Sequence, residues 1–156
     1  MTKRNFCLRM LVMVLALGML VIGCDNGSTD NLKTDSRLNG TWIGDNKSTE
    51  GIEIKLIDGN FFQSIDEVPW GKGTYSITND IITIKPTHMY GPEYGLESKW
   101  YSKNELEMGL KSTEEFTNDE IIEILTIFAE IIFIYSINGN TLTFIMGNEP
   151  LIYSKQ

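Results

Sequence analysis

Ile52-Glu53-Ile54-Lys55-Leu56, Asp58-Gly59-Asn60, Phe61-Phe62-Gln63-Ser64-Ile65: these three pieces in succession decide the fold. The first alternates apolar and charged residues, the period of two expected of a strand with one buried face. The second is a turn signal, because glycine takes positive φ at little cost. The third carries the chain back. Two strands joined by so short a turn are antiparallel neighbours, so the reading that works outward from here is a meander.

Upstream, Asn39-Gly40-Thr41-Trp42-Ile43-Gly44 reads as the first strand. Downstream, Pro69 interrupts. Gly73–Ile77, a polar turn at Thr78-Asn79-Asp80, and Ile81–Lys85 form a second hairpin. Residues 86–96 hold two Pro and two Gly and read as a loop containing His88. Glu97–Tyr101 is a short strand and Ser102-Lys103-Asn104 a turn. A helix is expected late in the chain, over about residues 117–130. Thr117 and Glu120 fit a capping box. Ile121, Ile124, Leu125 and Phe128 fall on one helical face. Ile122 and Ile127 break that pattern, and a buried strand is the competing reading. Ile131–Tyr135 returns to strand, Asn138-Gly139 turns it, and Thr141–Phe144 and Leu151–Tyr153 close the series. Tyr75–Ile84 aligns with Tyr135–Phe144. Repetition and the common pattern of hairpins explain the echo equally well. The fold class is therefore mainly β, an antiparallel meander with one helix inserted late, closing as an up-and-down barrel or folding as a sandwich.

The N-terminus differs in kind. Lys3, Arg4 and Arg9 precede a 13-residue apolar run from Met10 to Ile22, followed by Gly23 and Cys24. A bilayer-spanning helix needs about 20 residues, so the run is too short to span. A basic start, a short apolar core and small residues before a cut are the marks of an export signal. With Cys directly after Gly23, the stretch resembles a bacterial lipoprotein signal peptide. That resemblance implies cleavage before Cys24, lipid on Cys24, and residence in the bacterial cell envelope, anchored to a membrane. The domain scheme is then 1–23 signal peptide, 24–37 lipidated Cys and flexible tether, and 38–156 barrel domain. A tether of this polarity cannot bury enough surface to fold, and it reaches roughly 20 Å.

Removing residues 1–23 takes three of the 13 basic residues and none of the 21 acidic ones, leaving 133 residues at net −11. Such a charge argues against nucleic acid as partner. Cys7 leaves with the signal, so Cys24 stands alone and no internal disulfide is available. A monomer stabilised by its core is expected.

Gly40-Thr41-Trp42, placed on the first strand after a polar lead-in, resembles the lipocalin and fatty-acid-binding superfamily. The resemblance implies a calycin-type barrel over residues 38–156, with Trp42 plugging one end and Gly40 letting the chain pass close by. Those families also set an Arg over the Trp, and no Arg follows Arg37 here; Lys155 is the only loose substitute. No interior Arg is available to hold a fatty-acid carboxylate.

Catalytic signatures are missing from the sequence. His88 is the only His, there is no Gly-x-Ser-x-Gly elbow, and the donors for a zinc site are too few. No P-loop or dinucleotide fingerprint occurs, so the expectation is no catalytic residue, metal or cofactor. Two functions remain. The first is a membrane-anchored, lipocalin-like module holding a small apolar ligand. The second is an envelope lipoprotein with a filled barrel and a protein partner or structural role.

Overall fold

The computed structural model describes residues 35–147 and 149–156. Cys24, the signal and most of the tether lie outside the described residues. The strands are β1 (Gly40–Gly44), β2 (Ile52–Ile57), β3 (Asn60–Ile65), β4 (Val68–Thr78), β5 (Ile81–Tyr90), β6 (Trp100–Ser102), β7 (Ile131–Asn138), β8 (Thr141–Met146) and β9 (Glu149–Lys155). Two helices, α1 (Lys103–Thr113) and α2 (Asn118–Leu125), lie between β6 and β7.

Every pairing is antiparallel. β1 to β5 pair in succession, β5 pairs with β7, and β7, β8 and β9 follow in order. β9 returns to β1 with Trp42 opposite Lys155, which closes an eight-stranded barrel. The short β6 adds to the far end of β5, beyond the part that pairs with β7. The turns behave as their residues require. Asp58, Gly59, Asn79 and Gly139 all take positive φ, at 47°, 79°, 59° and 59°. One face of each strand then supplies the core. Ile54 and Leu56 of β2 are buried, while Lys55 and Ile57 between and beyond them are exposed.

Two separate cores result. The main one joins Leu38 and Trp42 to inward residues of β2 to β5 and β7 to β9. The second gathers Met89, Tyr94, Tyr101, Leu106, Leu110 and Ile121, with Trp70, Phe116 and Phe128 packed against it. β4 and β5 are 11 and 10 residues long, and their far halves carry Trp70 and Met89 to this second cluster.

Several local expectations need correction. Residues 86–90 are strand, not loop, so His88 sits in β5. Pro86 is accommodated because the β4–β5 register shifts beside Gly73, and a bulge needs no ladder bond from the proline. Pro69 and Trp70 are likewise within β4, before its pairing with β5 begins at Gly71. The helix expected near 117–130 ends at Leu125 and continues as a 3-10 turn at Thr126–Phe128. Helix α1 was not foreseen, because Leu106 and Leu110 are its only buried apolar residues. Its start was readable. Glu105 Oε2 accepts from the backbone nitrogen and hydroxyl of Ser102, at 2.8 and 2.6 Å, at the head of Ser-x-x-Glu. Ser36–Leu38, assigned in part to the tether, form a 3-10 turn whose Leu38 is fully buried.

Candidate functional site

One end of the barrel is tied shut by residues 35–39. Trp42 of β1 is fully buried, and its indole Nε1 donates to the Leu38 carbonyl at 2.7 Å. Lys155 of β9 lies over the same indole, with Nζ 5.1 Å from the ring centroid. That ammonium also donates to the Arg37 carbonyl at 3.1 Å. Gly40 makes this crossing possible: a Cβ there would come within 2.7 Å of Lys155 Cε, and its φ of +145° disfavours other residues. Sequence reasoning named Gly40, Trp42 and Lys155, and the fold brings all three together. A single flexible cation stands where a planar guanidinium was missed.

Two tyrosines complete the tie. Tyr135 of β7 donates from its hydroxyl to Asp35 Oδ2 at 3.1 Å. Tyr75 of β4 donates to Asn39 Oδ1 at 3.4 Å. Asn39 in turn exchanges bonds with Asp58 at the β2–β3 turn, 3.0 and 3.2 Å. These tyrosines occupy matching positions in the two echoing hairpins, so the echo reappears as matched latches on residues 35–39. Nothing in the sequence names the partners. Arg37 forks onto Asp35, with contacts of 2.6 to 3.1 Å. These bonds hold the Asp35 carboxyl below the usual carboxylate range, against the opposing effect of burial.

Inside the barrel, side chains meet one another. Phe133 stacks on Phe144 at 5.2 Å, and Tyr153 sits edge-on to Phe144 at 5.7 Å. Burial pushes the Tyr153 phenol far above its ordinary value. The 15 buried residues of the main core are 0–9% exposed. At the other end of β1, Thr49 is fully buried, and its hydroxyl donates to the Ile152 carbonyl at 2.8 Å.

A groove of about 440 Å³ lies on the outer wall instead. Asn60, Thr74, Ser76, Thr83, Lys85 and Glu130 line it, and Lys85 pairs with Glu130 at 3.1 Å. Tyr75 and Ile77 also line it, and its exposed surface is more apolar than polar.

The residues considered for chemistry do not assemble. His88 Nδ1 lies 3.0 Å from the neighbouring Thr87 hydroxyl. Ser102 lies across the β5–β6 pairing from His88, but its hydroxyl is committed to Glu105 in the helix cap. Among the described residues no group of three or more His, Cys, Asp or Glu could hold a metal, and no helix is long and apolar enough to cross a membrane.

Fold and geometry define the class: a closed, eight-stranded antiparallel β-barrel with a helical excursion before β7. No family model, curated protein or solved structure matches this chain.

Proposed function

We propose that this protein is a lipid-anchored component of a bacterial envelope that works through its outer surface, with a barrel filled by its own side chains and without catalysis. The supporting observation is aromatic packing across the interior. A cavity able to hold a ligand has a volume of about 300 Å³ or more. Inside the barrel Phe133 stacks on Phe144 at 5.2 Å and Tyr153 meets Phe144 edge-on at 5.7 Å, which places side chains where a ligand would sit. This favours the filled barrel over the lipocalin-like carrier of a small apolar ligand. In this reading Gly40 and Trp42 are structural, closing one end of the barrel under residues 35–39. Cys24 carries the anchor, by the resemblance of Val21-Ile22-Gly23-Cys24 and its flanks to a lipoprotein signal.

Two measurements test the reading. Residues 24–156 with Cys24→Ser should show no saturable uptake of N-phenyl-1-naphthylamine; stoichiometric uptake would restore the ligand carrier. Cys24→Ala in the full chain should abolish palmitate labelling in a bacterial host and release the protein from the membrane fraction. Labelling that survives would refute the anchor.

A further inference from the structure

We infer that the outward face of β2 to β5 is a docking surface for an extended acidic segment of a partner protein. Strand register places Lys55 opposite Phe62, Phe62 opposite Lys72, and Lys72 opposite His88, one row across four strands. Phe62 is 45% exposed and is the one aromatic among the exposed large hydrophobics of the described residues. Lys72 Nζ lies 4.7 Å from the ring centroid of Trp100, which itself packs on Tyr90 at 5.3 Å. The row therefore alternates cation and aromatic side chains.

Charge makes this row stand out. Acids outnumber Lys and Arg by 21 to 13 in the chain. Among the described residues Arg37, Lys85, Lys99 and Lys111 each meet an acid, while Lys47, Lys55, Lys72, Lys103 and Lys155 form no ion pair; of these, Lys55 and Lys72 are the two that face the exposed Phe62 across the strands. Two cations without acidic partners, on either side of an exposed Phe, form a positive and apolar strip on an acidic protein. Complementarity then selects a partner that is acidic and carries an apolar side chain. The groove adjoins the strip directly. Asn60, Thr74 and Lys85 form the next outward row, one step along each strand.

Spacing refines the partner. Neighbouring strands lie about 4.8 Å apart, so the backbones at Lys55 and Lys72 are about 10 Å apart across Phe62. An extended peptide advances about 3.3 Å per residue. Two acids three positions apart, with an apolar residue between them, match the strip.

This inference rests on the reading of the barrel as a filled scaffold acting through its surface. Its test is a fluorescence-anisotropy titration of the full chain in neutral maltoside micelles. The probe is a fluorescein-labelled peptide containing Glu-Leu-Gly-Glu. Binding should weaken at least tenfold with Gln in place of both Glu, and fall steeply as salt rises. Lys55→Gln with Lys72→Gln should weaken it at least tenfold, and Phe62→Ser alone should do likewise. The charge-matched pair Lys47→Gln with Lys111→Gln should leave it within twofold. Urea midpoints establish that each variant is folded. Absence of peptide binding, equal loss in the control pair, or tighter binding of heparin at the same residues would each overturn the inference. Peptide failure without dye uptake sinks this inference alone. Saturable dye uptake sinks the filled-barrel reading on which it rests.

Discussion

At the scale of single residues, Trp42 ties the barrel to the segment that precedes it. Its indole fills the core and its Nε1 holds the Leu38 carbonyl. Removing a buried Trp costs about 3–5 kcal/mol, a large part of the roughly 5–15 kcal/mol that holds a domain. Trp42→Ala should therefore unfold the protein or lower its urea midpoint strongly. Trp42→Phe keeps most of the apolar volume but leaves the carbonyl without its donor, an expected loss of about 1–3 kcal/mol. An unchanged midpoint in both variants would show that Trp42 does not hold this end together. Asp35 gives a pH signature. Its pKa is lower in the folded than in the unfolded state, because of its hydrogen bonds to Arg37. Such a group adds stability above its unfolded pKa, near 3.9, and loses it as pH falls through the lower folded value. The urea midpoint of Asp35→Asn should therefore lie below that of the wild type at pH 6, and the gap should close towards pH 2. Glu93 shifts the other way, raised by burial, but it is common to both proteins and cancels in the comparison.

At the scale of elements, two junctions decide whether local structure survives. The bulge at Gly73 lets Pro86 sit inside a paired strand. A Cβ at Gly73 would lie 2.1 Å from the Lys85 carbonyl oxygen and 2.9 Å from Pro86 Cα. Both are backbone atoms and cannot swing aside. Gly73→Ala should force the two longest strands apart and lower the thermal midpoint markedly. An unchanged midpoint would mean the bulge relaxes freely. The cap of α2 is milder. The Thr117 side chain accepts from Glu120 N at 3.3 Å, and Glu120 Oε2 accepts from Thr117 N at 2.8 Å. Thr117→Ala should cost about 1 kcal/mol. Faster amide exchange should be confined to residues 118–125, and unaltered exchange there would count against the cap. Trp70 belongs to this scale too. Being in β4 and packed against the second core, it is expected to matter to the helices more than to the barrel.

At the scale of the whole molecule, closure depends on β9. It pairs with β8 on one side and β1 on the other, and it brings Leu151, Tyr153 and Lys155 to the core and the tied end. A chain ending after residue 148 should therefore lose its cooperative urea transition altogether, rather than open at one seam. Retention of a sharp transition would show that the barrel stands without its closing strand.

The alternation of Ile52–Leu56, the turn at Asp58-Gly59 and the second turn at Asn138-Gly139 were enough for an antiparallel meander, and only the resemblance carried by Gly40-Thr41-Trp42 favoured a barrel over a sandwich. Period-two burial and positive-φ turns are local properties, carried by neighbouring residues. Gly40-Thr41-Trp42 marked the first strand for the same reason. The capping boxes at Ser102 and Thr117 were also local, and the first was overlooked only because its helix has a narrow apolar face. Other features joined residues far apart in the chain. Asp35 meets Tyr135, Asn39 meets Tyr75, and Lys155 meets Trp42 only once the barrel closes. The row of Lys55, Phe62, Lys72 and His88 exists only through strand register. Sequence alone determined most of the strands, their turns and the direction of their pairing, because these depend on near neighbours, but not the far halves of β4 and β5, where Pro69 and Pro86 sit in paired strands. Tertiary structure alone decided which strands close the ring, what seals its end and which cations are left without acids, because these depend on contacts that local patterns do not encode.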